Sequence, residues 1–380
     1  MVRFEVAVVG GGPAGCAAAA AASGQGATVV LLDPLAAPEL ETAPRVGETA
    51  APGTPRLIAE IFGTEGDTAF TADRHLPCPG TVSAWGSGRP TVTDHLLNPL
   101  GGAWNLDRGR FDDDLRRAVV RLGAEVRPAK VATAERDSDG WVLGTPTGRP
   151  HRIRADVVID ASGRGARVAR QLGARQIHGD HLVALWSRWL VDEADQSAST
   201  YIESVEGGWW YSTLLPAGCR VVAHLTDPDL VPTGGLARQD LVLSARELPL
   251  IGELLGASGE PTLAGEARVT VARSSRLDHV VGPGWLATGD AAFTVDPLSG
   301  RGMVSALLTG REAGESAVAL LAGNAHPEVS AYTHLMSELH HDGITRQAEA
   351  YEAEGRWPEA PFWRRRQKST AAPAPAGAIA

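Results

Sequence analysis

Val6-Ala7-Val8-Val9 is a short apolar run that leads straight into Gly10-Gly11-Gly12-Pro13-Ala14-Gly15. An alanine-rich stretch from Cys16 to Ala22 follows, then a second apolar run from Thr28 to Leu32, closed by Asp33. The order is strand, glycine turn, helix, strand, acid, which commits the first 33 residues to a β-α-β unit and hence to a parallel sheet. Gly10, Gly12 and Gly15 make G-x-G-x-x-G. The first allows the tight turn, the second lets the backbone approach a pyrophosphate, and the third lets the helix pack against the strand. Pro13 and Ala14 open the helix, whose free N–H groups and partial positive charge favour phosphate. A carboxylate at Asp33 suits free ribose hydroxyls, so the unit reads as a dinucleotide site for FAD or NAD rather than NADP.

The 380 residues are enough for about two domains with a large core. A formal charge of −10 argues against nucleic acid and against an anionic membrane surface. Every apolar run is interrupted before transmembrane length, and the N-terminus enters a strand directly, so no signal peptide is expected. Cys16, Cys78 and Cys219 are far apart and form no C-x-x-C pair, which suits a reducing cytoplasm and gives no metal site. Cys16 reads as a core residue. Lys130 and Lys368 are the only lysines.

Further along, residues 57–62 read as a helix and residues 63–80 as loop. Short strands are expected from Gly80 to Leu97. A helix with Asp112, Asp113 and Asp114 in its first turn runs to about Leu122, where Gly123 ends it. Residues 124–155 read as a β-meander, and Ala155 to Asp160 as a further strand. Strands dominate from His181 to about Val271, helix is expected over 235–256, and Trp285 to Asp290 is a third strand followed by an acid. Helices follow from Gly302 to about Leu321 and over 328–353. No second G-x-G-x-x-G occurs, so a nicotinamide can bind only transiently, or a separate reductase supplies electrons.

Three acids thus close three strands: Asp33, Asp160 and Asp290. With the glycine turn, the pattern resembles the FAD-dependent monooxygenases of the para-hydroxybenzoate hydroxylase type. Their second FAD motif resembles Asp160-Ala161-Ser162-Gly163-Arg164-Gly165, although the family's glycine after the aspartate is Ala161 here. Their third resembles Gly289-Asp290-Ala291-Ala292 followed by Asp296-Pro297-Leu298-Ser299-Gly300-Arg301-Gly302. The resemblance implies that Asp290 binds the ribityl chain and that the Pro297, Gly300 and Gly302 turn meets the flavin ring and pyrophosphate. It implies FAD as cofactor, O2 as co-substrate, and NAD(P)H or a separate flavin reductase as electron donor, with oxygen transfer through a flavin hydroperoxide. Arg45 and Arg108 are candidates for the pyrophosphate.

Arg45-Val46-Gly47-Glu48-Thr49 is similar to the tryptophan-halogenase branch. The lysine on which halogenation relies in that branch is missing between Met1 and Ala129, and so is its nearby glutamate. The chain resembles more nearly the LodB-like and GoxB-like flavoproteins of tryptophylquinone formation, in Gly208-Trp209-Trp210-Tyr211 through Pro216 and in Arg356-Trp357-Pro358 through Arg366. Glu48, Trp209, Trp210 and Pro297 are the candidates for residues at the chemistry. His95, His181, His224 and Asp296 are further titratable groups to place. Adjacent residues on a strand face opposite ways, so at most one of Trp209 and Trp210 can face a substrate; core packing is the alternative for both.

The expected fold is α/β with an α+β insertion: a discontinuous Rossmann-like FAD-binding domain (1–80, 101–178 and 273–325), an inserted β-sheet substrate domain (81–100 and 179–272), a C-terminal helical segment (326–368) and a disordered tail (369–380). The expected activity is hydroxylation of an electron-rich aromatic, preferably an indole, as a small molecule or within a tryptophan-containing peptide or protein. The alternatives are a halogenase, an isoprenoid reductase, or a non-catalytic escort protein on the same fold.

Overall fold

A computed structural model describes residues 2–36, 46, 48–146, 152–191, 197–216, 218–231, 238–256, 262–323 and 325–367. The tail expected to be disordered lies outside these residues.

Val2–Val9 is the centre of the first sheet. It pairs in parallel with Val29–Leu32 on one side and with Arg152–Asp160 on the other. Trp285–Ala287 extends the parallel order beyond Arg152–Asp160, and Glu125–Arg127 extends it beyond Val29–Leu32. Asp33, Asp160 and Asp290 therefore come to one end of three parallel strands, the carboxyl end at which α/β sheets bind ligands.

The glycine-loop helix, Pro13–Gly24, carries no apolar stripe because every side of it is covered; Cys16 through Ala19 are fully buried. Gly302–Leu321 crosses it closely. A Cβ on Gly310 would lie 2.2 Å from the Ala14 carbonyl, and one on Gly314 would lie 2.3 Å from that of Ala18. The alanine run and the two glycines are two halves of one close helix crossing.

The second sheet is inserted. Its order is Thr262–Leu263, Val183–Leu190, Cys219–Thr226, Gly208–Leu215, Thr200–Val205, Gly80–Ala84 and Thr91–Asp94, and Arg268–Val271 also pairs with Val183–Leu190. Alternation along its strands sorts the tryptophans. Leu185, Trp189, Trp210 and Val222 pack beneath Arg238–Arg246 and Pro249–Gly256. Ala184, Trp186, Trp209, Ala223 and Leu225 face the other way, toward the cofactor sheet and the C-terminal aromatics Tyr351, Phe362 and Trp363.

That C-terminal segment, the end of Ala325–Glu352 with Pro361–Gln367, is bolted to the inserted sheet. The indole of Trp85 donates to Ala350 O (2.7 Å) and that of Trp363 to Val205 O (2.9 Å). Glu354, fully buried, accepts from Gly86 N–H (2.8 Å), the Ser204 hydroxyl (2.6 Å) and the Arg356 guanidinium (2.7 Å). Arg365 and Arg366 pair with Asp227, so two arginines of the Arg364–Arg366 run serve internal contacts.

Several elements differ from expectation. Residues 63–80, expected as loop, contain the strand Leu76–Cys78, and the helix expected over 235–256 is two helices, Arg238–Arg246 and Pro249–Gly256. Glu125–Arg127 is not part of the meander; it is the parallel edge strand beside Val29–Leu32. His151–Arg154 and Ala155–Asp160 do not form two strands, because no Gly or Pro separates them; Arg152–Asp160 is one strand. The helix Arg108–Arg121 starts a turn before the three aspartates, capped by Asp107, whose carboxylate accepts from Gly109 N–H (3.0 Å) and Arg110 N–H (3.2 Å). Among the described residues, no helix is long and apolar enough to cross a membrane.

Candidate active site

One cavity of about 1550 Å3 runs from the carboxyl end of the parallel sheet to the face of the inserted sheet. Small-molecule sites usually occupy roughly 300–1,000 Å3, so there is room for a dinucleotide and a second ligand together.

Its floor is built from glycines with contrasting surroundings. Gly10 has φ +110°, and a Cβ there would meet Ala161 O at 2.2 Å. A Cβ on Gly15 would meet Gly10 O at 1.8 Å. These two are glycine because the protein's own backbone fills the space. Gly12, Gly300 and Gly302 have no other part of the protein within 4 Å of such a Cβ, and all three line the cavity. Their open space is the kind a ligand takes.

Among the helices that begin at the cavity, Pro13–Gly24 after Gly12 and Gly302–Leu321 after Arg301 lack a side-chain cap. Uncapped N–H groups and two positive dipole ends face one space, which fits an anionic, phosphate-bearing cofactor. Gly289 (φ +56°) brings the turn of Asp290 against Ala14, where a Cβ would stand 2.6 Å from the Ala14 methyl. The residues present therefore fit FAD.

The charged residues are placed as follows. Asp33 lines the cavity, its carboxylate held by Leu35 N–H (3.0 Å) and by Arg116 (3.2 Å). Arg116, 6% exposed, also donates to Gly11 O (3.2 Å), tying the glycine loop to the acid. Nothing in the sequence signalled Arg116, since it arrives from a packed helix. Asp290 also lines the cavity, with 45% of its side chain open to that space and Arg164 at 3.5 Å. Burial within the surrounding protein raises its pKa, against the pull of Arg164 and Arg108. Arg108 lines the cavity and is paired with Asp112 (3.1 Å).

Asp160 does not reach the cavity. It is fully buried and accepts from Ser162, Val168 and Ala169 N–H, capping the short helix behind its turn. Arg164 of the same turn reaches the cavity in its place. Trp210 is likewise placed elsewhere, stacked on His224 at 4.6 Å on the far face of the sheet. Burial depresses the His224 pKa to about 4. His181 is exposed and not part of the lining. Arg45 and the Glu48 side chain lie outside the described residues.

Trp209, Pro297, His95 and Asp296 do line the cavity. Trp209 donates through Nε1 to the Tyr351 hydroxyl (3.1 Å), which donates to Asp296 (2.7 Å). Asp296 also accepts from Leu298 N–H (2.9 Å), which shapes the Pro297–Ser299 turn. Burial raises the Asp296 pKa to about 6, against those hydrogen bonds. His95 Nε2 sits 3.1 Å from the Thr81 hydroxyl, and burial lowers its pKa. Cys16 is buried core, as read, with its thiol against Gly11 O at 3.4 Å.

Fold and cavity together define a flavin-dependent oxidoreductase. Residues 66–211 match the tryptophan halogenase family and residues 5–76 the glucose inhibited division protein A family. LodB of Marinomonas mediterranea, named an FAD-dependent oxidoreductase, is 27% identical over 98% of this chain and 99% of its own length. The digeranylgeranylglycerophospholipid reductase of Methanoculleus marisnigri is 28% identical over 83% of this chain and 76% of its own. Among solved structures, the peptidyl tryptophan dihydroxylase QhpG, described as essential for tryptophylquinone cofactor biogenesis, superposes with a TM-score of 0.78 at 23% identity, over 96% of this chain and 79% of that one. The chain is thus similar to the tryptophan halogenase family over residues 66–211 and to LodB over nearly its whole length.

Proposed function

We propose that the chain is an FAD-dependent monooxygenase that hydroxylates an electron-rich aromatic ring, by preference an indole, free or within a peptide or protein. The observation that carries the reading is the continuity of one cavity: the open glycines Gly12, Gly300 and Gly302 form one end, and Trp186, Trp209, Tyr211 and Leu225 of the inserted sheet form the other. An aromatic ring held by that apolar face lies against the flavin turn.

Gly12, Gly300, Gly302, Asp33 and Asp290 would hold FAD, with Arg164 and Arg108 beside its charged portion. Bound and reduced, the flavin activates O2 and supplies one oxygen atom. The chain's own groups position the ring, exclude water and settle a proton. An electron-rich ring needs little acid or base help, and the face offers little: His95 is biased toward its neutral form, and Asp296 is engaged by Tyr351. Electrons arrive from NAD(P)H bound in passing or from a separate reductase, since a second dinucleotide motif is missing.

The relatives include halogenating and reducing enzymes, so the reaction itself must be measured. Lys130 argues against halogenation here. It follows the edge strand Glu125–Arg127 and lines the cavity at its Asp33 end, remote in the fold from the inserted sheet. The test is product analysis: holoprotein, a flavin reductase, NADH and O2, with tryptophan and tryptophan-containing peptides, with and without bromide. Oxygenated product in both mixtures is expected. Brominated product, or reduction of an added isoprenoid with no oxygen incorporated, would overturn the reading.

A further inference from the structure

Among the polar groups that interrupt the apolar face of the cavity is one small cluster in which the direction of the hydrogen bonds can be worked out. Asn105 is fully buried, and its Nδ2 donates to Ala198 O (2.6 Å). That contact fixes which end of the amide faces Thr49: the carbonyl Oδ1, 2.8 Å from the Thr49 hydroxyl. A flipped amide would set two oxygens against each other at Ala198. Thr49 has one proton, and it goes to Asn105.

The same Thr49 oxygen lies 2.8 Å from the Thr200 hydroxyl. With the Thr49 proton already engaged, the proton of this second contact is the one on Thr200. The neighbouring thiol of Cys78, 3.7 Å from Thr200, has Gly80 O as its own acceptor (3.4 Å). Thr200 lines the cavity, so it presents lone pairs to that space and no proton. Ile202, Trp209 and Leu225 line the same cavity with apolar atoms, and the Tyr211 hydroxyl, which also lines it, lies 3.4 Å from the Thr49 oxygen.

We infer that the cavity selects a ring carrying a hydrogen-bond donor, an N–H or O–H, and that Thr200 is the acceptor that reads it. The inference rests on the reading of this cavity as the site of an aromatic substrate, and it narrows that class: indoles and phenols fit, while their donor-free isosteres leave a desolvated acceptor unmatched. Thr49 and Asn105 act as positioning residues, since they set the polarity of Thr200 without needing to touch the ring.

The test uses FAD-loaded full-length protein and two pairs of probes, indole against benzofuran and phenol against fluorobenzene. Dissociation constants are read from the perturbation of the flavin absorbance bands, with no turnover needed. The donor-bearing member of each pair should bind about tenfold more tightly, the effect of one hydrogen bond of about 1.4 kcal/mol. Thr200→Val should remove the preference and Thr200→Ser should keep it. Thr49→Val frees the Thr200 proton and should shrink the preference while improving benzofuran. Binding of the phenol pair alone, with the same preference, would remove indole as the substrate and support the donor rule. Equal binding within each pair, a preference unchanged in Thr200→Val, or no binding of any probe at millimolar concentration would overturn the inference.

Discussion

The Tyr351 hydroxyl donates to the Asp296 carboxylate across 2.7 Å, joining the C-terminal helix to the turn that faces the flavin site. Trp209 donates to the same hydroxyl, so the indole on the cavity wall, the phenol and the acid form one buried chain. Removing the middle member strands both others. Tyr351→Phe should lower stability by about 1–3 kcal/mol, seen as a fall in Tm of the apoprotein, because the acceptor of the Trp209 Nε1–H and the donor to Asp296 are lost together.

Asp296 also sets a pH dependence. Its folded pKa is raised by burial to about 6, above the 3.8 of an unperturbed aspartate. The folded state therefore binds the proton more tightly than the unfolded state. This contribution is fully present below about 4, is lost as pH rises toward 6, and stays level above that. The loss is on the order of 2–3 kcal/mol. Thermal melts of the apoprotein across this window should show wild type losing stability relative to Asp296→Asn, which does not titrate. Parallel curves for the two proteins would remove Asp296 as the titrating group.

Adjacent residues 209 and 210 should separate function from stability. Trp209→Phe leaves a ring on the cavity wall but deletes the donor to Tyr351, and should lower kcat/KM at least tenfold while FAD remains bound. Trp210 stacks on His224 beneath the covering helices. Trp210→Phe should lower stability by about 1–3 kcal/mol with kcat/KM within twofold of wild type. Steady-state kinetics and melts on the two variants check this.

Glu354 is the anchor of the C-terminal segment. Burial would push its pKa up, but the hydrogen bonds from Arg356, Ser204 and Gly86 outweigh that and hold it at about 2. The folded pKa is depressed, so the stability it adds is present above about 4.5 and lost as pH falls toward 2. Glu354→Gln should cost about 2–3 kcal/mol at neutral pH and expose the segment from Trp357 to Trp363. Limited proteolysis and a red shift of tryptophan emission would report that release; unchanged cleavage would show that the segment is held by its aromatics alone.

Much of this architecture is legible in the sequence because backbone requirements leave strong traces. Gly10, Gly12 and Gly15 announce the turn, and Gly300 and Gly302 announce its counterpart. The helix from Gly302 to Leu321 is found where periodicity places it. Side chains that act by meeting across the fold leave no such trace. Arg116, Tyr351, Asn105 and Thr200 come from distant segments, and only packing brings them to Asp33, Asp296 and Thr49. Asp160 misleads for the opposite reason: a strand-ending acid can serve a ribose or cap a helix, and local sequence does not distinguish the two. Strand alternation excludes one of Trp209 and Trp210 from the cavity, but which one depends on the register of the whole sheet.

The claim beneath all of this is that the open glycines hold a single FAD. Titration of the apoprotein with FAD, followed by the flavin absorbance bands, tests it most directly when wild type is compared with Gly12→Ala. The added methyl meets no other part of the protein within 4 Å, and Gly12 lines the cavity. The account predicts one FAD per wild-type chain, and binding at least tenfold weaker in Gly12→Ala at an unchanged apoprotein Tm. A wild-type protein that stays colourless with excess FAD, or a Gly12→Ala variant that binds it equally well, would contradict the account.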